Sequence, residues 1–553
     1  MPDPRTDCRG GRREWSAAAF LLVAVAVALA AVNVWFGPLN QDEGWYLLAA
    51  RNVGRGMLPY RDFFYTQGPA LPFAYALFLP LWSPFGVLGG RVLTAVFGLL
   101  AAILASAFAF RVAGGGTSGR IATARAAALL VAALLCLSPD WAYFSVIPKT
   151  YSLGAFHLCF GALMCAVSAD ASASRRRAVA AAVLSGAGFA LAAASRATLC
   201  LAAPPFFAAL LLDRRSLPLR RRVAVSAAFA AGCAAALVAV FVPSAGVAPD
   251  NFLFSQTYHV ARASAPLGKW IVLRAAFLCF LAQGYPAMVC AAALLCLRPG
   301  ARCATAGREP ERAAAADAPN PLPLVSHAPL AAFALITAAH FLVPFPYADY
   351  NTPAMPFAAI ALALPLASRA AAAGLRPLRA VAVAAAVGVA FVAASPWPMK
   401  WVGGRQDRFW FSFEGRSALS RLREAGRVVR ELAGGDDVPV LTQDAYLAVE
   451  AGLPVVPGLE MGPFGFFPDL SDEEADRRNV RNARTMLAAI QSGEAPVAAL
   501  SGYSFAVACP STDPVADETR RALLDAVKMR YPNEAFSMER FGQQDTPLSV
   551  RTR

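Results

Sequence analysis

The residues best suited to chemistry are two adjacent carboxylates, Asp42 and Glu43, in the segment 40–69, NQDEGWYLLAARNVGRGMLPYRDFFYTQGP. A carboxylate within hydrogen-bond reach of a hydroxyl can accept its proton and so activate a nucleophile. Because the two acids are consecutive, they point to different sides of a helix or strand. One can therefore face a cavity while the other holds the structure. The structural alternative, which composition alone leaves open, is that both acids only cap a helix and pair with Arg51 or Arg61.

The composition indicates a membrane protein. Of 553 residues, 57% are hydrophobic and only 16% are charged, and the mean hydropathy is +0.48. A soluble globule of this length is not so apolar. The net charge of +14 comes from short basic clusters between apolar runs, which is typical of cytoplasmic loops and argues against a nucleic-acid partner. The eleven cysteines lie mostly inside apolar runs without a CxxC pair, so neither a disulfide framework nor a zinc site is expected.

The apolar runs predict an α-helical polytopic protein with about 11 transmembrane helices. The predicted helices are 15–36, 85–110, 121–138, 151–169, 178–194, 198–212, 223–242, 271–297, 330–345, 354–367 and 380–394. All arginine clusters between them face the cytoplasm if 178–212 forms a hairpin of two short helices and the N-terminus is cytoplasmic. The segments 40–69, 139–150, 243–270 and 346–353 then lie on the extracytoplasmic side.

The chain divides into two predicted domains. Residues 1–395 form the transmembrane domain, with a first extracytoplasmic loop at 37–84 in which 44–56 is expected to lie as an amphipathic helix at the membrane interface. Residues 396–553 are more charged and combine helical patterns with strand-like runs. We therefore expect a small extracytoplasmic α/β domain at the C-terminus.

The opening segment also carries a family resemblance. The pattern begins with Asp42-Glu43 after the first span and continues through Tyr46, Ala50-Arg51, Gly56, Pro59-Tyr60-Arg61-Asp62 and Gly68-Pro69. It resembles the first extracytoplasmic loop of the GT-C glycosyltransferases, in the bacterial branch related to protein O-mannosyltransferases and lipid A aminoarabinose transferases. The likeness extends more weakly through Arg91, Pro139, Arg196 and the segment 350–356, and thus covers most of the membrane part.

The resemblance implies a transferase of the bacterial inner membrane that moves a sugar from a polyprenyl-phosphate-linked donor to an extracytoplasmic glycan, lipid or protein. It makes Asp42 the base that activates the acceptor, with Glu43 in support. A divalent cation held by these two acids is an option, but no cofactor is certain. The departing phosphate needs positive charge. Candidate phosphate-binding residues are Lys149, Arg196, Arg262 and Lys269, and candidate substrate-binding residues are Arg61, Tyr60, Gln67, His259 and Tyr350.

Each of these side chains also has a purely structural explanation. Arg196 can snorkel to the interface, Lys149 can anchor a helix end, and His259 can simply be solvated in a loop. The chain also departs from the aminoarabinose transferases, because Thr66-Gln67-Gly68-Pro69 lacks the lysine that precedes the proline in that family. This loss argues against a lipid A acceptor and leaves Gln67 as a contact for a hydroxyl or a sugar.

Two other functions compete with a glycosyltransferase. A transporter or flippase of lipid-linked glycans would also have many spans, but it would place ionisable residues near the midplane of broken helices, often in repeated halves. Here the informative charges lie on one face and the sequence shows no repeat, which favours the enzyme. A non-catalytic scaffold that binds through its exported tail would be indicated if Asp42 were dispensable.

Overall fold

The structure is a computed structural model. It describes residues 4–114, 120–136, 138–214, 216–260, 267–284, 323–343, 346–372, 416–507, 515–543 and 545–553. Within these ranges, seven helical stretches are long and apolar enough to cross a membrane: Trp15–Phe36, Leu79–Val112, Thr150–Ser168, Arg175–Ser195, Leu219–Phe241, Leu324–Leu342 and Asp349–Arg369. Two shorter apolar helices accompany them, Ile121–Cys136 and Ala197–Leu212. The predicted polytopic helical fold is therefore confirmed. The predicted helix at 380–394 and the second half of the one at 271–297 lie outside the described residues, so the total of about 11 stays a prediction.

The helices of the membrane part follow the chain in order. They are α1 (Pro4–Phe36), α2 (Gln41–Gly54), α3 (Ala70–Leu77), α4 (Leu79–Trp82), α5 (Gly86–Val112), α6 (Ile121–Cys136), α7 (Pro139–Phe144), α8 (Thr150–Ser168), α9 (Arg175–Ser195), α10 (Ala203–Leu212), α11 (Leu219–Phe241), α12 (Pro249–Val260), α13 (Leu267–Gly284), α14 (Ala328–Leu342) and α15 (Met355–Ala372). Short 3₁₀ turns precede several of them, among them Ala197–Ala202 before α10 and Ala348–Ala354 before α15.

A break between α9 and α10 forms the predicted hairpin. Pro204 and Pro205 stand in the first turn of α10, where a missing N–H is tolerated but a preceding α-helical turn is not. The chain therefore enters α10 through a 3₁₀ turn, and Arg196 ends α9 in an extended conformation with φ −153° and ψ 118°. The break presents the arginine side chain at the end of the helix instead of on its flank.

The basic loops lie together at the end of the helical bundle opposite the break between α9 and α10. Arg111 at the end of α5 pairs with Asp170 after α8 at 2.5 Å. Arg221 at the start of α11 donates to the backbone carbonyls of Asp170 and Ala173. These contacts place the loops after α5, α8 and α10 together, as the positive-inside pattern requires of one membrane face.

The C-terminal region is a small α/β unit. Its helices are α16 (Ala418–Ala433), α17 (Ala445–Ala451), α18 (Asp472–Arg477), α19 (Ala483–Ser492) and α20 (Asp517–Arg530), and its strands are β1 (Val440–Leu441), β2 (Val497–Leu500), β3 (Asn533–Phe541) and β4 (Thr546–Thr552). The strands form one sheet in the order β1-β2-β4-β3, with β1 and β2 parallel and both other pairs antiparallel. The predicted α/β character is confirmed. The hairpin of β3 and β4 gave little sequence signal because most of β3 is exposed and lacks apolar alternation.

The α2 helix is buried between the membrane helices and the C-terminal unit. Its residues 43–52 are all buried, and Trp45 and Leu47 share one hydrophobic core with Leu422 and Val440. A Cβ on Gly44 would lie only 2.1 Å from the backbone nitrogen of Tyr446, so glycine allows the close approach of α17. The prediction of a helix here is right, but its placement in the membrane interface is wrong because the C-terminal unit covers it. The predicted domain boundary at 395/396 lies outside the described residues and stays a prediction.

Candidate active site

Asp42 stands at the first turn of α2, where helix capping fixes its position. Asn40 is the N-cap residue, and its side-chain oxygen accepts a hydrogen bond from the backbone N–H of Asp42 at 3.1 Å. One oxygen of the Asp42 carboxylate accepts from Nε1 of Trp45 at 3.3 Å. The other lies 2.9 Å from the ammonium of Lys149. The carboxylate is about 30% exposed and lines a cavity, so it remains accessible to a ligand.

Glu43 points the other way and has a structural position. It is fully buried, and its two oxygens lie 2.7 and 2.6 Å from the guanidinium of Arg91, which is also fully buried. Arg91 further donates to the carbonyls of Val34, Gly37 and Pro38, and Glu43 accepts from the backbone N–H of Asn40 at 2.8 Å. This network joins the end of α1, the start of α2 and the first turns of α5. It therefore holds the segment that presents Asp42.

Lys149 bridges two carboxylates from distant parts of the chain. Its ammonium lies 2.9 Å from Asp42 and 3.2 Å from Asp349, and Asp349 also accepts from the hydroxyl of Tyr151 at 2.7 Å. Burial on its own lowers the pKa of the Lys149 ammonium, but the negative charges around it, Asp42 first, hold that pKa well above its usual value. Lys149 therefore remains a cation and fixes Asp42 as its counter-ion.

Arg196 provides a second cation in the same cavity. Its guanidinium lies 4.3 Å from the centre of the Tyr350 ring and 5.5 Å from that of Tyr151. Its Nε–H is buried and has no hydrogen-bond partner within the described part of the chain. A half-buried guanidinium that packs against aromatic faces in a cavity can take an anionic ligand.

The cavity itself has a volume of about 390 Å³. Its wall also includes the aromatic and apolar residues Trp45, Tyr46, Phe241, Phe252, Val343, Met461 and Phe464, and the polar residues Thr66, Gln67, Thr198, Gln256 and His340. Burial, reinforced by the charge of Asp42, raises the pKa of Tyr46, so its phenol stays neutral. Met461 and Phe464 come from the C-terminal unit, which therefore closes part of the site. A concave site of this size that combines apolar walls with several polar groups is typical of small-molecule binding.

The structure brings together about half of the sequence-predicted residues. Asp42, Lys149, Arg196, Gln67 and Tyr350 all line the cavity. Two others have structural contacts nearby: Glu43 supports α2, and Tyr60 donates from its hydroxyl to the carbonyl of Gln67 at 2.5 Å.

The remaining predicted residues lie outside the cavity wall or cannot be placed against it. Arg61 is exposed and pairs with Asp62 at 2.7 Å. Lys269 is exposed in α13 and is not part of the cavity wall. Arg262 lies outside the described residues, and for His259 only its place in α12 is described. Roles for these four in binding stay predictions.

Several residues of the site were not expected from the sequence. Asp349 is the most important, because it is the second counter-ion of Lys149. Its signal was an acid directly before Tyr350, in a short turn predicted to be extracytoplasmic. Trp45, Met461 and Phe464 carried no chemical signal, since aromatic and apolar residues abound in this chain.

A metal-binding role has no ready ligand set in the described residues. Within those ranges, no group of three or more His, Cys, Asp and Glu side chains comes close enough to hold an ion. The two carboxylates that approach each other, Asp42 and Asp349, share the ammonium of Lys149. The divalent cation considered from the sequence stays a prediction.

Comparison with known proteins identifies the fold. No family model and no curated protein matches the sequence. The structure is similar to that of ArnT from Cupriavidus metallidurans bound to undecaprenyl phosphate, with a TM-score of 0.59, 15% identity, and coverage of 96% of this chain and 97% of that chain. The same protein in the apo state matches with a TM-score of 0.59, 14% identity, and coverage of 97% and 98%.

A weaker likeness involves the archaeal oligosaccharyltransferase AglB from Archaeoglobus fulgidus in complex with an inhibitory peptide and a dolichol-phosphate. Its TM-score is 0.44 at 13% identity, over 87% of this chain and 69% of that chain, which is too low to support an inference. The match to ArnT spans nearly the whole of both chains, including the C-terminal unit. The chain therefore shares the fold of ArnT.

Proposed function

We propose that this protein is an integral-membrane glycosyltransferase that moves a sugar from a polyprenyl-phosphate-linked donor to a hydroxyl-bearing extracytoplasmic acceptor. One observation carries the proposal: the carboxylate of Asp42 and the half-buried guanidinium of Arg196 line the same cavity. Glycosyl transfer needs both groups, a base for the acceptor and a cation for the departing phosphate. The whole-chain fold similarity to ArnT bound to undecaprenyl phosphate supports the same donor chemistry.

The proposed reaction is a single displacement. The acceptor oxygen forms a bond to the anomeric carbon while its proton passes to the Asp42 carboxylate. The bond between the anomeric carbon and the phosphate oxygen breaks, and the electron pair leaves with the polyprenyl phosphate. The phosphate gains one negative charge in this step, and the guanidinium of Arg196 stabilises it.

Lys149 has a separate part in the proposal. It lies against both Asp42 and Asp349, so its positive charge offsets part of their combined negative charge in the absence of substrate. Without that ammonium, two carboxylates would face an incoming phosphate and repel it. Lys149 therefore admits an anionic donor to a cavity that contains the acidic base.

The proposed orientation places this site on the extracytoplasmic side of a bacterial inner membrane, with a cytoplasmic N-terminus. Support comes from the opposite ends of the bundle: Arg111 and Arg221 meet around Asp170 at one end, whereas Asp42 and Arg196 line the cavity at another. Reporter fusions in the loops around Asp170 and in the C-terminal unit test it. Cytoplasmic activity of the first and extracytoplasmic activity of the second are expected, and the reverse pattern would refute the orientation.

The test of function is transfer by the purified protein in lipid nanodiscs. The donors are a panel of synthetic polyprenyl-phosphate sugars with labelled sugar, and the readout is release of the label from the lipid. Asp42→Asn should lower the rate about 100- to 10,000-fold, the usual contribution of a general base. Asp62→Asn is the matched control, because Asp62 lies in the same loop, pairs with the exposed Arg61 and does not line the cavity.

Equal rates for the wild type and Asp42→Asn would show that Asp42 is not the base. If no donor of the panel loses its sugar but lipid-linked sugars cross vesicle membranes in the presence of the protein, a flippase is the better description.

A further inference from the structure

A buried histidine links the two segments that form the arginine site. His340 lies in α14, is fully buried, and uses both ring nitrogens within the protein. Its Nε2 lies 2.8 Å from the hydroxyl of Thr198, and its Nδ1 lies 2.7 Å from Oδ1 of Asn351. Although the ring lines the cavity, neither nitrogen is left over for a ligand.

The hydrogen-bond directions follow from Asn351. Its amide nitrogen donates to the hydroxyl of Thr337 at 3.1 Å, which turns its carbonyl oxygen toward His340. An amide oxygen only accepts, so Nδ1 of His340 carries the proton and donates it. In a neutral ring Nε2 is then the acceptor, and the hydroxyl of Thr198 donates to it.

The two partners of His340 are neighbours of the proposed phosphate-binding residues. Thr198 lies two residues after Arg196, in the 3₁₀ turn at the break between α9 and α10. Asn351 directly follows Tyr350, whose ring lies 4.3 Å from the Arg196 guanidinium and 5.7 Å from the His340 ring. The histidine thus connects the segment that carries the cation to the segment that carries its aromatic support.

We infer that His340 is a positioning residue that holds Arg196 over Tyr350 and so prepares the site for the donor phosphate. This inference rests on the proposed function. An arginine side chain has many rotamers, and fixing it before binding removes that entropic cost from the binding step. The link acts on the phosphate half of the cavity, since Asp42 and Lys149 are bonded to Trp45 and Asp349 instead. Because Arg196 is proposed to contact the phosphate both before and during transfer, the link should affect donor affinity and the rate of transfer together.

The experiment measures binding of undecaprenyl phosphate to the full-length protein in nanodiscs, by ligand-dependent thermal stabilisation. His340→Leu should weaken binding about tenfold, which corresponds to about 1.4 kcal/mol. Thr198→Val should have a similar effect, and Thr198→Ser, which restores the hydroxyl, should bind like the wild type. His327→Leu is the matched control, because His327 is exposed just before α14.

A double-mutant cycle separates positioning from unrelated damage. If His340 acts through Thr198, the combined variant His340→Leu/Thr198→Val should bind no more weakly than either single variant. Additive losses would overturn the link. The link is also overturned if His340→Leu or Thr198→Val binds undecaprenyl phosphate like the wild type while Arg196→Gln binds it weakly. If neither Arg196→Gln nor any other variant differs from the wild type, the proposed phosphate site is wrong, and this inference is overturned with it.

Discussion

The buried pair of Glu43 and Arg91 offers the sharpest test of how the site is held. Both side chains are fully buried, and the guanidinium makes five hydrogen bonds: two to the Glu43 carboxylate and three to backbone carbonyls between residues 34 and 38. Arg91→Met removes the cation but keeps most of the side-chain volume. It leaves the carboxylate and the three carbonyls without their main donor in a buried environment.

The expected cost is large because the remaining partner is charged. Removing one partner of a buried ion pair costs about 3–5 kcal/mol, whereas removing one partner of a half-exposed pair costs about 0–1 kcal/mol. Arg111→Met supplies the matched control, since Arg111 and Asp170 form a 2.5 Å pair in which each side chain is about a third exposed. The total stability of a folded domain is only about 5–15 kcal/mol, so Arg91→Met should remove a large share of it.

The assay is denaturant-induced unfolding in detergent micelles, followed for both variants and for Arg91→Met/Glu43→Gln. The double variant should recover part of the lost stability, because it no longer buries an uncompensated charge. The reasoning is refuted if Arg91→Met loses no more stability than Arg111→Met. It is also refuted if adding Glu43→Gln lowers stability further by the full amount of a second independent loss.

Three more changes have defined outcomes. Gly44→Ala should destabilise the protein and lower transfer, because its Cβ would meet the backbone nitrogen of Tyr446 at 2.1 Å; wild-type thermal stability would contradict this packing. Burial raises the pKa of Glu460 to about 7, so its contribution lowers stability as the pH rises from about 4.5 to 7. Glu460→Gln should reduce the change of the unfolding free energy with pH over that range. If the change with pH stays the same, the buried carboxyl of Glu460 does not cause it. Tyr350→Phe should keep the affinity for undecaprenyl phosphate, because it retains the aromatic face under Arg196. Tyr350→Leu should weaken this binding about tenfold. Equal affinities of the two variants would show that the ring is not needed.

Local patterns in the sequence were enough for the membrane helices and for the place of the proposed base. Apolar runs predict spans because the hydrocarbon interior excludes unpaired backbone and charge, whatever the neighbouring helices are. The amphipathic pattern at 44–56 predicts a helix, and α2 begins three residues earlier, with Asp42 in its first turn. The consecutive position of Asp42 and Glu43 also predicts that they face different surroundings, and the structure has one at the cavity and the other at Arg91.

The partners of these residues could not be read from the sequence. Lys149 meets Asp349 across 200 positions, and Thr198 meets His340 across 142. Such pairs depend on how each helix is rotated and where it crosses its neighbours, which side-chain periodicity leaves undetermined. The interface helix was misjudged for the same reason, because half-polar periodicity suits a membrane surface as well as a second domain.

The sequence by itself therefore determined a polytopic helical protein with an acid presented just after its first span, since both follow from local polarity and helix capping. Only the tertiary structure decided that Lys149 joins Asp42 to Asp349, that His340 links Thr198 to Asn351 beside Arg196, and that the C-terminal unit closes the cavity. These contacts form between elements far apart in the chain. Their geometry is set by packing, which no local pattern of residues encodes.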